Sequence, residues 1–375
     1  MSVRDYLFRK ASLMKIPLAG TFELSPVCNF ACKMCYVRKT SAQLKKEGKH
    51  LYSAEQWIQL ANECKEAGML YLLLTGGEPF LYPGFRTLYE KLHSMGLVLS
   101  INSNASMIDN ETIAWLKNHA PAIINITLYG ASEETYEKVC GNGGAYNKVI
   151  DAILKLKREG ISVAINASMI PENIDDMENI IKFGKENDIP VRMGTYMFPP
   201  VRRNEEENDS RFTPTQAGEM SVMKYYFEQD SSGFQKIGKE YLASTEKVKD
   251  DDDWGSRDEC MTCRAGKSTF WVSWDGKMTA CGIMDFPSVQ YPFENDFKSC
   301  WLKLNEEVRK ATVLSECKGC PKKEICHPCA AIIHAETGDV NKKAPYMCEM
   351  ADAALECWKK MLKKGCDEDA EEEKK

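Results

Sequence analysis

From residue 20 to residue 198 the sequence alternates short apolar runs with amphipathic segments, and this alternation sets the fold class. The candidate strands are "GTFELS" (20–25), "LYLLLT" (70–75), "LVLSIN" (97–102), "IINITL" (123–128), "SVAINASM" (162–169) and "PVRMGTYM" (190–197). Runs such as "LYLLLT" are apolar on both faces, as parallel strands covered by helices must be. The segments between them read as helices with defined ends. Ser53 and Gln56 predict a capping box, Trp57, Leu60, Cys64 and Ala67 share one face, and Gly68 predicts the stop. Six βα units of this kind make an α/β fold, either a partial (β/α) barrel or an open doubly wound sheet. The pattern alone does not order the strands.

In both architectures ligands sit at the carboxyl ends of the strands. Three chemically unusual segments fall there. Cys28, Cys32 and Cys35, spaced C-x3-C-x2-C, follow the first strand, "TGGEPF" follows the second, and "NSNAS" follows the third. A structural zinc site normally closes with four ligands. A lone trio therefore borrows a distant fourth ligand or leaves one coordination position open. The chain has 16 cysteines in 375 residues, too many for ordinary core packing. Its N-terminal "MSVRDYLFRKASLMKIPLAG" has no signal-peptide core and no run reaches membrane-spanning length, so a cytoplasmic location without a membrane partner is expected. Thiols in that compartment serve metals rather than disulfides. A net charge of −6 argues against a nucleic-acid partner.

The remaining sequence divides by composition. Residues 1–19 form an N-terminal extension, and 20–200 hold the alternating core. Residues 201–255 read as a helical bridge, with helices near 214–229 and 234–247 between charged stretches. Residues 256–366 are short-stranded and cysteine-dense; "STFWVSWDGKMTACGIM" predicts a hairpin turning at Asp275-Gly276, and a last helix covers 346–364. The acidic "DEDAEEEKK" (367–375) reads as a solvated tail.

A trio on a strand-to-helix loop suits a 4Fe-4S cluster held by three cysteines, with one iron left bare. With "GGEP" at 76–79 downstream, the loop at 28–35 resembles that of the radical S-adenosylmethionine (SAM) enzymes. The resemblance implies a partial (β/α)6 TIM barrel over 20–200. It implies that SAM chelates the bare iron, that one electron from the cluster breaks a carbon–sulfur bond, and that a 5′-deoxyadenosyl radical then abstracts hydrogen from substrate. A flavodoxin- or ferredoxin-type electron donor is also implied. Gly76 and Gly77 would let the backbone approach the ligand, Glu78 would help orient its ammonium group, and Pro79 completes the motif. A bulky residue at 77 is then expected to weaken SAM binding without loss of iron. Asn102, Ser103 and Asn104 are candidate ribose contacts and Thr127 a further SAM contact, with a satisfied strand-end polar group the equal reading for all four.

From Cys263 the chain runs twelve residues to Gly276 and four more to Cys281, followed by Cys317, Cys320, Cys326, Cys329 and Cys348. This resembles the small α+β auxiliary-cluster domain called SPASM. One interval departs, since Cys326 and Cys329 are separated by two residues instead of three. The resemblance implies that Cys260, Cys263, Cys281 and Cys329 hold one 4Fe-4S cluster and Cys317, Cys320, Cys326 and Cys348 another, making three clusters in the chain. Taken alone, the C-x2-C pairs equally suit zinc ribbons, and a zinc-ribbon scaffold protein is the reading from another class. Cys64, Cys140, Cys300, Cys357 and Cys366 are left over, Cys64 as a core residue.

Enzymes of this architecture mostly modify peptides or proteins, by crosslinking, epimerisation or oxidation. The stretch "ITLYGASEETYEKVCGNGGAYNKVI" (126–150) resembles peptide-maturing members. Only 27 residues precede Cys28, too few for a fused leader-binding domain, so a separate leader-recognition protein or direct binding is expected. In sulfatase maturases an Asp directly follows the second cysteine of the C-terminal domain and acts as base; here that position is Gly282, and Asp285 is the weak substitute. The main expectation is a peptide-modifying radical SAM oxidoreductase. The alternative is a small-molecule enzyme acting on a sugar, an amino alcohol or a heme precursor.

Overall fold

The computed structural model describes residues 2–200, 202, 210–246, 261 and 263–372. Cys260 and most of the two charged stretches of the bridge (203–209 and 247–255) lie outside the described residues, as does the side chain of Cys366. Helix α1 (Val3–Met14) precedes six strands: β1 (Ala19–Glu23), β2 (Tyr71–Thr75), β3 (Val98–Ser103), β4 (Ile123–Thr127), β5 (Val163–Ser168) and β6 (Val191–Gly194). Each pairs in parallel with the next in strictly consecutive order. A doubly wound sheet reverses its strand order at a switch point. No reversal occurs, so the six strands form the partial (β/α)6 barrel.

The crossovers carry α2 (Ser41–Lys46) and α3 (Ala54–Glu66), then α4 (Phe85–Ser94), α5 (Asn110–Asn118), α6 (Glu133–Cys140), α7 (Tyr146–Arg158) and α8 (Met177–Glu186). The capping box of α3 is present: Gln56 N donates to Ser53 Oγ at 3.3 Å and Ser53 N to Gln56 Oε1 at 2.8 Å. Its buried face is Trp57, Leu60, Ala61 and Cys64, and Gly68 leaves the helix at φ +107°. Each large side chain buried this way contributes about 1.5–3 kcal/mol, so the amphipathic face orders the helix.

After the barrel come α9 (Pro214–Glu228), α10 (Ser231–Glu246), the hairpin β7 (Thr269–Val272) and β8 (Met278–Thr279), then α11 (Phe297–Lys310), α12 (Lys323–Cys326), α13 (Ala330–Thr337) and α14 (Pro345–Glu372). The hairpin turns at Gly276, φ +83°. It does not stand apart from the barrel. β7 lies parallel to β1, from Ala19 opposite Thr269 to Phe22 opposite Val272, giving one sheet ordered β6-β5-β4-β3-β2-β1-β7-β8. The free edge of β1 would leave backbone groups without partners, and the hairpin supplies them. Gly20 permits the fit, because a Cβ there would stand 2.6 Å from the Phe270 ring. The cysteine-rich region is thus stitched to the strand that leads into the cysteine trio.

Candidate active site

The trio lies on the loop between β1 and α2. Ala31 N donates to Cys140 O at 2.7 Å and Lys33 N to Val139 O at 3.0 Å, which pins the loop to the last turn of α6. Cys28 Sγ accepts from Phe30 N at 3.3 Å and from Asn104 Nδ2 at 3.6 Å, and Cys35 Sγ accepts from Arg38 N at 3.3 Å. Donors aimed at sulfur in this way stabilise metal-bound thiolates and tune iron–sulfur sites. Burial pushes the Cys28 thiol up to about 12. A hydrogen bond with the Cys140 thiol, and then burial, pushes Cys32 well above the usual range. Without metal these groups are protonated at neutral pH; coordination supplies the charge that removes the proton. The donor set therefore fits the implied cluster.

The turn after β2 is zipped to this loop. Gly77 N donates to Ser25 O at 2.6 Å and Glu78 N to Val27 O at 3.0 Å, continuing the β1–β2 ladder past both strands. Gly76 has φ +149°, and its Cβ would lie 2.4 Å from Ser25 O; a Cβ on Gly77 would lie 2.3 Å from Val27 O. Both glycines line the cavity, but the contact that forbids a side chain is with the loop carrying Cys28. The steric obstacle to a bulky residue at 77 thus lies in the cysteine loop.

Glu78 is fully buried and does not line the cavity. Its Oε1 accepts from Phe80 N (3.1 Å) and Ser103 Oγ (2.9 Å), and its Oε2 from Asn104 N (2.8 Å). Burial pushes its carboxyl up to about 7, outweighing these bonds. It ties the end of β2 to the end of β3. Pro79, also buried, opens the short helical turn Pro79–Leu81 beside it. Asn104 Nδ2 also donates to Asn29 Oδ1 at 3.0 Å, so Ser103 and Asn104 brace the site from within. Asn102 Oδ1 accepts from Asn125 Nδ2 at 2.9 Å, and Asn125 Oδ1 from Arg192 at 2.7 Å, a polar ladder across the barrel.

These elements enclose a cavity of about 480 Å³ lined by the trio, Gly76, Gly77, Asn102, Ser103, Asn104 and Thr127. The sequence reading missed Tyr129, Asn166, Ser168 and Tyr196 on the same wall. Asn166 and Ser168 end β5 and obey the strand-end rule that singled out Asn102, so that signal was present. Tyr196 had none: its hydroxyl donates to Glu336 at 2.6 Å, and Glu336 pairs with Arg211 at 2.7 Å.

In the C-terminal region the thiols gather into two groups. In one, burial raises the Cys263 and Cys281 thiols first, and the neighbouring Cys329 raises both further. In the other, burial first and then the neighbouring Cys348 and Cys320 raise the Cys317 thiol, and burial with Cys317, Cys348 and Cys320 pushes Cys326 up to about 12. His327, left-handed at φ +46°, turns the chain within the short interval so that Cys326 and Cys329 join different groups. Among the described residues no three His, Cys, Asp or Glu side chains converge as on a single ion. Asp285 is exposed and absent from the cavity wall, so the structure does not bring that candidate to the site; Ile283 lines the wall instead. A side chain at 282 is blocked, since its Cβ would stand 2.6 Å from the Trp271 indole.

One buried ion pair joins the two regions. The Arg202 guanidinium donates to both oxygens of Glu23 (3.0 and 2.7 Å) and to Gly282 O (3.1 Å), with its Cζ 5.6 Å from the centroid of the Tyr36 ring. It thus ties the end of β1 to the neighbours of Cys35 and Cys281.

Residues 22–184 match the profile of the Radical SAM superfamily. The chain is 24% identical over 356 residues to the AdoMet-dependent heme synthase of Methanosarcina barkeri, covering 89% of this chain and 97% of that protein. It is 25% identical over 167 residues to the sporulation killing factor maturation protein SkfB of Bacillus subtilis, covering 44% of this chain and 39% of SkfB, so this match spans well under half of that relative's length. Among solved structures, Streptococcus suis SuiB bound to precursor peptide SuiA superposes with a TM-score of 0.65 at 18% identity, covering 92% of this chain and 79% of that one. No helix among the described residues is long and apolar enough to cross a membrane. Residues 22–184, which span most of the partial barrel, are thus similar in sequence to the Radical SAM superfamily.

Proposed function

We propose that the chain is a radical SAM oxidoreductase that abstracts hydrogen from a side chain of a ribosomally made peptide or protein. Cys28, Cys32 and Cys35 would hold the SAM-binding 4Fe-4S cluster. Cys263, Cys281 and Cys329, with Cys260, would hold a first auxiliary cluster, and Cys317, Cys320, Cys326 and Cys348 a second, as in a SPASM domain. When bound, the cluster and SAM supply one electron and a hydrogen-abstracting 5′-deoxyadenosyl group. The chain's own residues do the positioning: Gly76 and Gly77 hold the turn against the cysteine loop, Asn104 braces Cys28, and Tyr196 and Phe198 wall the cavity against water.

The match to the maturation protein SkfB and the likeness to SuiB bound to precursor peptide SuiA support the choice of substrate. A drug-sized ligand needs a pocket of roughly 300 Å³ or more. The cavity of about 480 Å³ beside the trio is large enough for a ligand of that size. Ile283, two residues from Cys281, forms part of the same wall, which supports a role for Cys281 near that space. The blocked position 282 argues against a sulfatase-type base. The end-to-end match to a heme synthase favours a second reading, a heme-precursor substrate. A flavodoxin- or ferredoxin-type donor and a separate leader-recognition protein complete the proposal.

The first test is iron, sulfide and zinc per chain after anaerobic reconstitution. About 12 irons with matching sulfide are expected; about two zincs with little iron would sink the radical reading in favour of four-cysteine zinc sites. Replacing Cys28, Cys32 and Cys35 by Ala should abolish 5′-deoxyadenosine production while about 8 irons remain. Retained SAM cleavage would overturn the assignment of the trio.

A further inference from the structure

A second, large cavity lies away from the cysteine trio. It is an open groove of about 1510 Å³ between α9, α10 and α14. Its floor is apolar and adaptable, with Met220, Met223, Met361 and Phe227 half-buried and Tyr226 51% exposed. Its rim is acidic: Glu178, Glu219, Asp230, Glu349, Asp352 and Glu356, against a single cation, Lys360. Glu178, Glu219 and Glu349 form no ion pair with a described residue. An apolar groove with such a rim fits an amphipathic helix carrying basic residues, the helix-in-groove mode of recognition.

This chain displays such a helix. Of the eight large hydrophobic side chains most exposed among the described residues, four lie on α1: Val3 (78%), Tyr6 (51%), Leu13 (76%) and Met14 (58%). At 100° per residue they share one stripe, with Lys10 in its centre and Arg9 at its edge. The opposite face, Phe8 and Ala11, is buried against the barrel, and Asp5, the helix's one acid, is held by Arg264 at 2.8 Å. Neither Arg9 nor Lys10 is ion-paired among the described residues. An exposed apolar stripe this continuous marks an interaction surface.

We infer that α1 of one copy docks into the α9/α10/α14 groove of another. The apolar stripe meets the methionine floor, and Arg9 and Lys10 meet the unpaired rim acids. Because the two surfaces differ, the contact is heterologous; it closes as a reciprocal pair or ring, or propagates as a chain. This inference does not depend on the chemistry proposed above.

The test has two readouts on the full-length protein. Sedimentation velocity from about 1 to about 100 µM should show self-association that rises with concentration and falls with salt. L13E on the solvent-facing stripe and, separately, M223E in the groove should each return it to monomer, with melting temperature checked for both. A fluorescein-labelled synthetic peptide of residues 1–16 should bind the L13E protein, whose groove is intact, and bind at least about tenfold more weakly to M223E or E219K. A monomer at every concentration would overturn the inference, as would peptide binding that ignores the groove substitutions. Binding of the peptide to anionic lipid vesicles, with none to the protein, would assign the stripe to a membrane surface and equally overturn it.

Discussion

Substituting Gly77 by alanine separates two roles for the "GGEP" turn. A Cβ at this position would stand 2.3 Å from Val27 O, 2.5 Å from Val27 C and 2.8 Å from Pro26 O. Real Cβ contacts essentially never fall below 3.0 Å, and the obstacle is backbone, so the turn and the cysteine loop must part by about 0.7 Å or more. The bonds from Gly77 N to Ser25 O and from Glu78 N to Val27 O hold the same approach and would be strained or lost. Two hydrogen bonds at about 1 kcal/mol each, with an overpacking cost of about 1–3 kcal/mol, give a local penalty of about 3–5 kcal/mol. Val27 precedes Cys28, so the displacement is delivered to the trio. Iron analysis after anaerobic reconstitution should show loss of about 4 of about 12 irons. Gly144→Ala is the control, because nothing lies within 4 Å of its Cβ position, and it should keep full iron. Full iron with weakened SAM binding in Gly77→Ala would refute the reasoning and return the glycine to a ligand contact.

Three further outcomes are expected. Burial raises the Glu78 carboxyl from 4.5 to about 7, so its stabilising protonated form is fully available below about pH 4.5 and its contribution is lost as pH rises through about 7, up to about 3 kcal/mol; denaturation midpoints of wild type and Glu78→Gln should diverge across that window, and parallel profiles would count against it. Arg202→Met leaves the fully buried Glu23 carboxylate without its partner and should cost about 3–5 kcal/mol in chemical denaturation, with Glu23→Gln added to it restoring part of the loss; an unchanged midpoint in the single variant would contradict the bridging role. On the proposal that the trio alone would hold the cluster, Cys140→Ala should keep iron and 5′-deoxyadenosine production; loss of iron from the trio would instead mark Cys140 as a fourth ligand.

The positions of the strands were legible because buried parallel strands are apolar on both faces, and all six appear within a few residues of the periodic runs. The cysteine trio, the "GGEP" turn and the two C-terminal thiol sets were legible because soft-metal ligands are rare residue types at short spacings. Roles within the site were less so. Glu78 reads as a ligand contact in the sequence, yet three donors brought from Phe80, Ser103 and Asn104 make it a buried brace. Tyr196 and Cys140 gave no signal, because their partners Glu336 and Cys32 lie far away in sequence and only the fold brings them near.

By itself the sequence determined the βα alternation, the rim on which the chemistry sits and the supply of thiolates, since each depends on local periodicity or residue type. Tertiary structure alone decided the strand order and the addition of β7 and β8 to the free edge of β1. It also set the backbone of Ser25 and Val27 against Gly76 and Gly77. Those outcomes depend on which distant backbones meet, and close packing and unpaired edge groups settle that only once the chain has folded.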